Sequence, residues 1–285
     1  MQAKLLYDAL DNDFLLSETG IESWYMPEIE AYVTRTFSEK SEGLVLDFTR
    51  DINKVYTMVF PDTDILENII NRGESNLLLF AHHPPIWTFS GGHEFMRTIP
   101  VALVKQLQSM NIALYSLHIP LDHCGAYSTC YTFAGELEIR ITNDCFPYCG
   151  VNTGIIGVSP YTGLTEFYNH IEAKLKHPIK LYRYGSNNIE NNKVAIVTGY
   201  GNELEVLEEV KHNTVNTFIT GFTHNVQGLS SSTNAHQFAE QNGINLIGTT
   251  HYTSEKYACM KMVQYYEKKG LMSEFIEGKP NLNDL

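Results

Sequence analysis

The sequence predicts an α/β protein of two lobes, each built on a mainly parallel sheet flanked by helices. Three observations carry this prediction. Short apolar runs alternate with segments of helical period along most of the chain, three of those runs lead into histidine motifs, and no low-complexity linker breaks the alternation. A chain of 285 residues is long enough for one large or two modest domains, and 43% hydrophobic with 19% charged residues is ordinary for a soluble globular protein.

The first alternating set opens with a helical stretch over 62–71. Residues 76–81 (Asn-Leu-Leu-Leu-Phe-Ala) show no polar alternation and read as a buried parallel strand ending in His82-His83-Pro84-Pro85. Residues 101–110 are predicted helical, and 112–117 (Ile-Ala-Leu-Tyr-Ser-Leu) form the next strand, followed at once by His118-Ile119-Pro120-Leu121-Asp122. The middle of the chain offers a strand at Ile155 and Ile156, a helix over Leu164–Leu175 and a polar, hairpin-like stretch over 184–192. A second set follows: strand 193–198, helix near 203–212, strand Thr217–Thr220, helix near 234–241 and strand Asn245–Gly248. Just past it lies His251-Tyr252-Thr253-Ser254-Glu255. A last helix, about 253–269, carries Ala258, Cys259, Met262, Val263 and Tyr266 on one stripe, with Gly270 as its stop. This reading assigns 1–128 with 249–285 to a first lobe that carries most of the histidine motifs, and 129–248 to a second.

Several classes are disfavoured. Residues 1–16 have no basic start, and Asp8, Asp11 and Asp13 interrupt them, so they are not a signal peptide. No stretch approaches the roughly 20 apolar residues of a membrane helix, which makes the cytoplasm the expected address. Five cysteines, an odd number without secretory context, point to reduced thiols. Cys124, Cys130, Cys145 and Cys149 cluster in sequence but lack the paired two-residue gaps of a zinc knuckle, which favours scattered buried thiols. The formal net charge of −13 argues against a general grip on nucleic acid. A small anionic substrate remains compatible if metal ions supply local positive charge.

The three motifs carry the chemistry. Adjacent side chains leave an extended backbone in opposite directions, so His82 and His83 are expected to hold one ion each rather than chelate one together. Pro84 and Pro85 stiffen the exit from the loop and bias His83 away from helical geometry. Adjacent histidines also occur at surfaces without any ligand role, and alone the pair leaves both readings open. His118 and Asp122 fit a metal-side loop, but taken alone they fit better as a polar loop with a hydrogen-bonded core histidine. His251 and Glu255, at i and i+4, stack on one face if they open the last helix; taken alone they also fit a surface pair. The Gly199-Tyr200-Gly201 turn is better explained as a strand-to-helix turn than as a phosphate cradle. His93, His123, His170, His177, His212 and His236 show no partner pattern, and His224 has no assigned role.

In their order along the chain these motifs, with the segments 154–159 and 198–201 and the Thr220-Gly221 strand end, resemble the Nif-three-like dinuclear metal-centre family, often labelled GTP cyclohydrolase type-two homologues. The resemblance covers essentially the whole chain. It implies metal ligation by His82, His83, Asp122, His251 and Glu255, with Glu255 bridging two ions, and two lobes facing a dinuclear metal cleft between them in a ring-like homohexamer. The sequence departs from the family pattern in three places. After Asp122 a glycine-rich turn with an asparagine is replaced by residues 123–128, the glutamate after the Thr-Gly strand end is Phe222, and the Ala-Gly before the last histidine is Thr249-Thr250.

Mixed imidazole and carboxylate ligands suit two divalent ions per chain from among zinc, iron, manganese, cobalt and nickel. A bound dication makes hydroxide available near neutrality. The expected activity is therefore metal-assisted hydrolysis of a nucleotide or related phosphate compound, with His118 in a supporting or proton-transfer role. Cyclohydrolase action on GTP follows only from the family label. The alternative is a metal-binding scaffold or regulatory protein in which the ions stabilise the fold without turnover.

Overall fold

The computed structural model describes residues 1–14, 24, 26–87, 97–225 and 230–285. They divide into two compact units, Met1–Leu121 with Cys259–Gly278, and Asp122–Ala258 with Lys279–Leu285. No described helix is long and apolar enough to cross a membrane.

In the first unit the chain runs α1 (Ala3–Asp13), α2 (Arg35–Lys40), β1 (Gly43–Leu46), β2 (Lys54–Met58), α3 (Thr63–Asn71), β3 (Leu77–Ala81), the ribbon β4 (Ile86–Trp87) and β5 (Arg97–Thr98), α4 (Val101–Ser109) and β6 (Ile112–Ser116). A short helix, α5 (Ile119–Asp122), leads out. The sheet order is β1-β6-β3-β2, completed by the late strand Met272–Phe275. β6, β3, β2 and that late strand are mutually parallel, and β1 is antiparallel at the edge. Every residue of β3 and β6 is buried, which explains why their sequences are continuous apolar runs: a parallel strand covered on both faces has no polar side. Leu77, Leu79 and Ala81 with Ile112 and Leu114 pack on Leu66 and Ile69 of α3 and Leu103, Val104 and Leu107 of α4. On the opposite face Phe80 meets Tyr266 edge-on, ring centroids 5.9 Å apart.

The second unit contains α6 (Thr129–Glu136), β7 (Arg140–Tyr148), β8 (Val151–Val158), α7 (Leu164–Leu175), β9 (Lys180–Tyr182), β10 (Lys193–Val197), α8 (Leu204–His212), β11 (Thr217–Thr220), α9 (Ser230–Asn242), β12 (Asn245–Gly248) and the start of α10 (His251–Lys268). Its sheet order is β7-β8-β10-β11-β12-β9. Leu164, Phe167, Ile171 and Leu175 of α7 cover one face, and Leu207 and Val210 of α8 with Ala235 and Ala239 of α9 cover the other.

The two-lobe α/β expectation stands, but the sheets are mixed rather than mainly parallel. In the second unit only β10, β11 and β12 run parallel, while β7, β8 and β9 pair antiparallel with their neighbours. Apolar periodicity reports burial, not strand direction. Direction is set by the connections, and the tight turn at Cys149 and Gly150, both with positive φ, returns the chain antiparallel without a crossover helix. The hairpin expected over 184–192 is also absent. That stretch is a loop with one bridge, Gly163 to Asn188, and a closing 3-10 turn at Glu190–Asn192.

One carboxylate in the first unit is held out of its ordinary range. Burial, with Asp64 adding repulsion, raises Asp62 at the N-cap of α3 to about 6, and its side chain makes no capping bond. A folded-state value above the unfolded one means that ionising Asp62 costs stability. The penalty is absent at pH 4 and below, grows as pH rises towards 6, and is complete above it. Asp62→Asn is therefore expected to raise unfolding free energy by about 1–2 kcal/mol at pH 7.5 and by almost nothing at pH 4, read from urea midpoints at the two pH values.

Candidate metal centre

In the first unit the hydrogen-bond ladder does not stop at the last strand residue. The parallel register pairs Ala81 with both Met58 and Ser116. Beyond it the His82 N–H donates to Met58 O at 3.1 Å, the His83 N–H to Val59 O at 2.9 Å, and the Leu117 N–H to Ala81 O at 3.2 Å. The ends of β2, β3 and β6 are thereby locked at one edge, where α/β sites collect. His82 and His83, 0% and 5% exposed, sit at a bend rather than in extended chain, so strand alternation does not apply to them. Their rings are 4.6 Å apart, not on opposite sides as an extended backbone would place them.

His118, from the end of β6, joins them. Its ring lies 5.0 Å from His82 and 4.7 Å from His83, and one ligating nitrogen from each of the three falls within 4.8 Å of the others. His82 Nδ1 lies 2.9 Å from Leu117 O. A carbonyl only accepts, so Nδ1 carries the proton and Nε2 the lone pair. His83 stacks on Phe60 at 4.4 Å, and Trp24 meets His118 edge-on at 5.6 Å. Glu42, 2% exposed, accepts the backbone N–H of His118 at 2.8 Å and of Ile119 at 2.9 Å. It serves as a carboxylate cap for α5 supplied from far away in sequence.

In the second unit His251 opens α10, with its Nε2 3.0 Å from Oε1 of Glu255. Glu255 is 2% exposed, which removes the surface-pair reading. Asp284 Oδ2 accepts the His251 backbone N–H at 3.0 Å, and Oδ1 accepts from Asn281 Nδ2 at 3.0 Å. Burial pushes the Asp284 carboxyl up, and the His251 N–H pulls it back. Just before His251, Thr250 holds φ +69°, a region that favours glycine. Its hydroxyl accepts the Thr253 N–H at 3.3 Å and donates to Thr253 Oγ1 at 2.9 Å, which anchors the strained residue. Gly199 at the end of β10 also has positive φ, and a Cβ there would lie 2.4 Å from Glu255 Oε1 and 3.0 Å from His251 Nε2. The glycine is a turn residue, as expected, but its backbone lies against the His–Glu pair.

Asp122 belongs to the second unit, where Thr129 Oγ1 donates to its Oδ1 at 2.6 Å and Thr198 Oγ1 donates to Thr129 Oγ1 at 2.7 Å. Among the described residues of that unit it does not complete a three-ligand group with His251 and Glu255. His236 is structural: Nε2 donates to Thr223 O at 2.8 Å and Nδ1 accepts from Tyr184 at 2.9 Å, while burial lowers its pKa. His170 pairs with Glu138 and Tyr161, and His93 lies outside the described residues. The four clustered cysteines are not all scattered, since Cys124 and Cys130 touch. Sequence reasoning missed Glu42 and Asp284, whose sequence neighbourhoods carry no motif and whose roles depend on contacts with distant segments. It read Gly199 as a turn residue but not its close approach to Glu255.

Buried imidazoles with a carboxylate fit a borderline divalent transition metal rather than calcium, and these groups can bind a metal ion.

Residues 30–281 match the family model described as Duf34/NIF3 (NGG1p interacting factor 3). A Borreliella burgdorferi protein named GTP cyclohydrolase 1 type 2 homolog is 30% identical over 81% of this chain and 85% of its own length. A like-named Archaeoglobus fulgidus protein is 28% identical over 85% and 91%. A solved structure from Thermus thermophilus shares the fold at TM-score 0.68 and 18% identity, covering 99% of this chain and 100% of that one.

Two substitutions test the supports. Gly199→Ala is expected to displace Glu255 and to cost about 1–3 kcal/mol in urea unfolding. Glu42→Gln leaves one carbonyl oxygen where two carboxylate oxygens each took a backbone N–H, and is expected to cost about 1–3 kcal/mol in the same measurement.

Proposed function

The chain belongs to the Duf34/NIF3 family, and from that membership and its convergent imidazoles we propose that it is a metal-dependent hydrolase of a small anionic compound in the nucleotide or related phosphate class. The observation that carries this reading is the His82–His83–His118 group, whose ligating nitrogens lie within 4.8 Å of one another at the carboxyl ends of adjacent parallel strands. Packing alone gives no reason to collect three imidazoles there, and a divalent ion does.

The proposed centre holds two divalent ions per chain, with donors from His82, His83, Asp122, His251 and Glu255. Zinc, iron, manganese, cobalt and nickel all suit this set. When bound, the ions supply a water of lowered pKa and positive charge for an anionic oxygen. That charge matters in a protein whose formal net charge is −13.

The residues contribute orientation and proton handling. His82 presents Nε2 because Nδ1 is committed to Leu117 O. Thr129 orients Asp122 through Oδ1, and Glu255 offers two oxygens, enough to bridge. His118 is the one member of the imidazole group that is not fully buried, and we assign it proton exchange with the substrate or leaving group. The same proposal includes assembly as a ring-like homohexamer, checked by light scattering on the purified chain.

Elemental mass spectrometry of the wild-type chain and His82→Ala is expected to find about two ions per chain, reduced in the variant. Absence of metal after reconstitution with several dications would falsify the metal reading. A triple variant, His82→Ala with His83→Ala and Glu255→Ala, is expected to lose at least ~100-fold in hydrolysis across a nucleotide and phosphate-ester panel that includes GTP. Full activity in that variant sinks the catalytic assignment. Chelation is expected to shift the melting temperature modestly; collapse of the fold, with no turnover of any substrate, would favour the scaffold alternative.

A further inference from the structure

Cys124 and Cys130 are brought into contact by the second unit, and the hydrolase reading uses neither. Both are free thiols, and their Sγ atoms lie 3.7 Å apart, at van der Waals contact. The segments that carry them are anchored independently. Cys124 donates its backbone N–H to Asn152 O at 2.9 Å and its thiol to Gly154 O at 3.2 Å, which stitches it to β8. Cys130 sits in the first turn of α6, where Ser128 caps the helix by accepting the Tyr131 N–H at 3.3 Å and places its Oγ 3.5 Å from the Cys130 sulfur. A disulfide bond is about 2.05 Å long, so the two sulfurs need to close by roughly 1.6 Å, less than the length of the bond formed.

Plain core filling accounts for Cys130, which is fully buried beside Phe133, Ala134 and Ile155. It does not account for a second sulfur set against the first at the edge of that cluster. Cys124 is half-buried and Cys130 is buried. Contact with Cys130, burial and the nearby Asp144 carboxylate raise the Cys124 thiol and slow its first oxidation, but a second thiol in contact is the arrangement that captures an oxidised sulfur before it reacts further.

We propose that Cys124 and Cys130 form a redox-reactive dithiol that a hydroperoxide converts into an intramolecular disulfide. The Cys124 sulfur attacks the terminal peroxide oxygen and the O–O bond breaks. The leaving oxygen takes the Cys124 proton and departs as water or an alcohol, and Cys124 becomes a sulfenic acid. The Cys130 sulfur then attacks the Cys124 sulfur, the S–S bond forms, and the sulfenic hydroxyl departs as water with the Cys130 proton. Over both steps the dithiol gives up two electrons and two protons, and the peroxide is reduced. The reaction needs no metal and stands independently of the hydrolase reading.

Mass spectrometry of the full chain tests this directly. The protein is treated with hydrogen peroxide in its folded state, alkylated with iodoacetamide and digested with trypsin. The peptide 106–140, which holds both cysteines, is expected to be unalkylated and lighter by two hydrogens, with both alkylation sites restored by dithiothreitol. Cys145 and Cys149, in the peptide 141–174, are expected to remain alkylated. Two alkylated cysteines in 106–140 after peroxide, or a linkage from Cys124 to Cys145 or Cys149, overturns the assignment. In folded Cys130→Ala, Cys124 is expected to stop at the sulfenic acid and take up dimedone. A folded variant that takes up none overturns the proposed order of attack, and the wild-type measurement stands even if the variant does not fold.

Discussion

The parallel register of β2, β3 and β6 is the constraint on which the His82–His83–His118 group depends. Because Ala81 lies level with both Met58 and Ser116, the chain leaving β3 still finds carbonyls to bond on one side and the backbone of Leu117 on the other. His82 enters this ladder through both its main chain and its imidazole, with Leu117 O taking the Nδ1 proton. A slip of one residue would send alternate side chains to the wrong face and remove that carbonyl from the ring. The lone pair on Nε2 is thus a consequence of strand pairing.

Both units secure a histidine-bearing helix start in the same way. A buried carboxylate from a distant part of the chain, Glu42 in one and Asp284 in the other, accepts the backbone N–H of the histidine itself. Burying a carboxylate is costly unless donors surround it, and a helix start supplies N–H groups with the favourable end of the helix dipole. The exchange fixes the backbones of His118 and His251 through their main-chain N–H groups rather than through their rings. Gly199 works by absence: its missing side chain leaves the space in which Glu255 sits. Thr250 shows the opposite economy, a β-branched residue kept at positive φ by its hydrogen bonds to Thr253.

Much of this was legible from residue order. Leu77–Ala81 and Ile112–Ser116 are buried strands because largely apolar runs of that length have few other ways to be buried. His251 and Glu255 pair because i and i+4 meet on any helix. What misled was local geometry extended too far. The alternation rule predicted divergent rings for His82 and His83, yet the strand ends in a bend there and the rings converge. Antiparallel β7, β8 and β9 went unread because burial patterns carry no direction, and the polar stretch at 184–192 has turn residues without paired strands.

The sequence by itself determined the two-lobe α/β architecture and the three histidine motifs that follow its strands, because periodicity and spacing act over a turn or a strand. Tertiary structure alone decided which histidines converge, which nitrogen of His82 carries a proton, and which carboxylates cap the histidine-bearing helices. Those outcomes depend on partners 35 residues away for His82 and Leu117 and 76 for His118 and Glu42. Such pairings are set by strand register and by the requirement that buried polar groups find partners, and neither leaves a periodic mark in the chain.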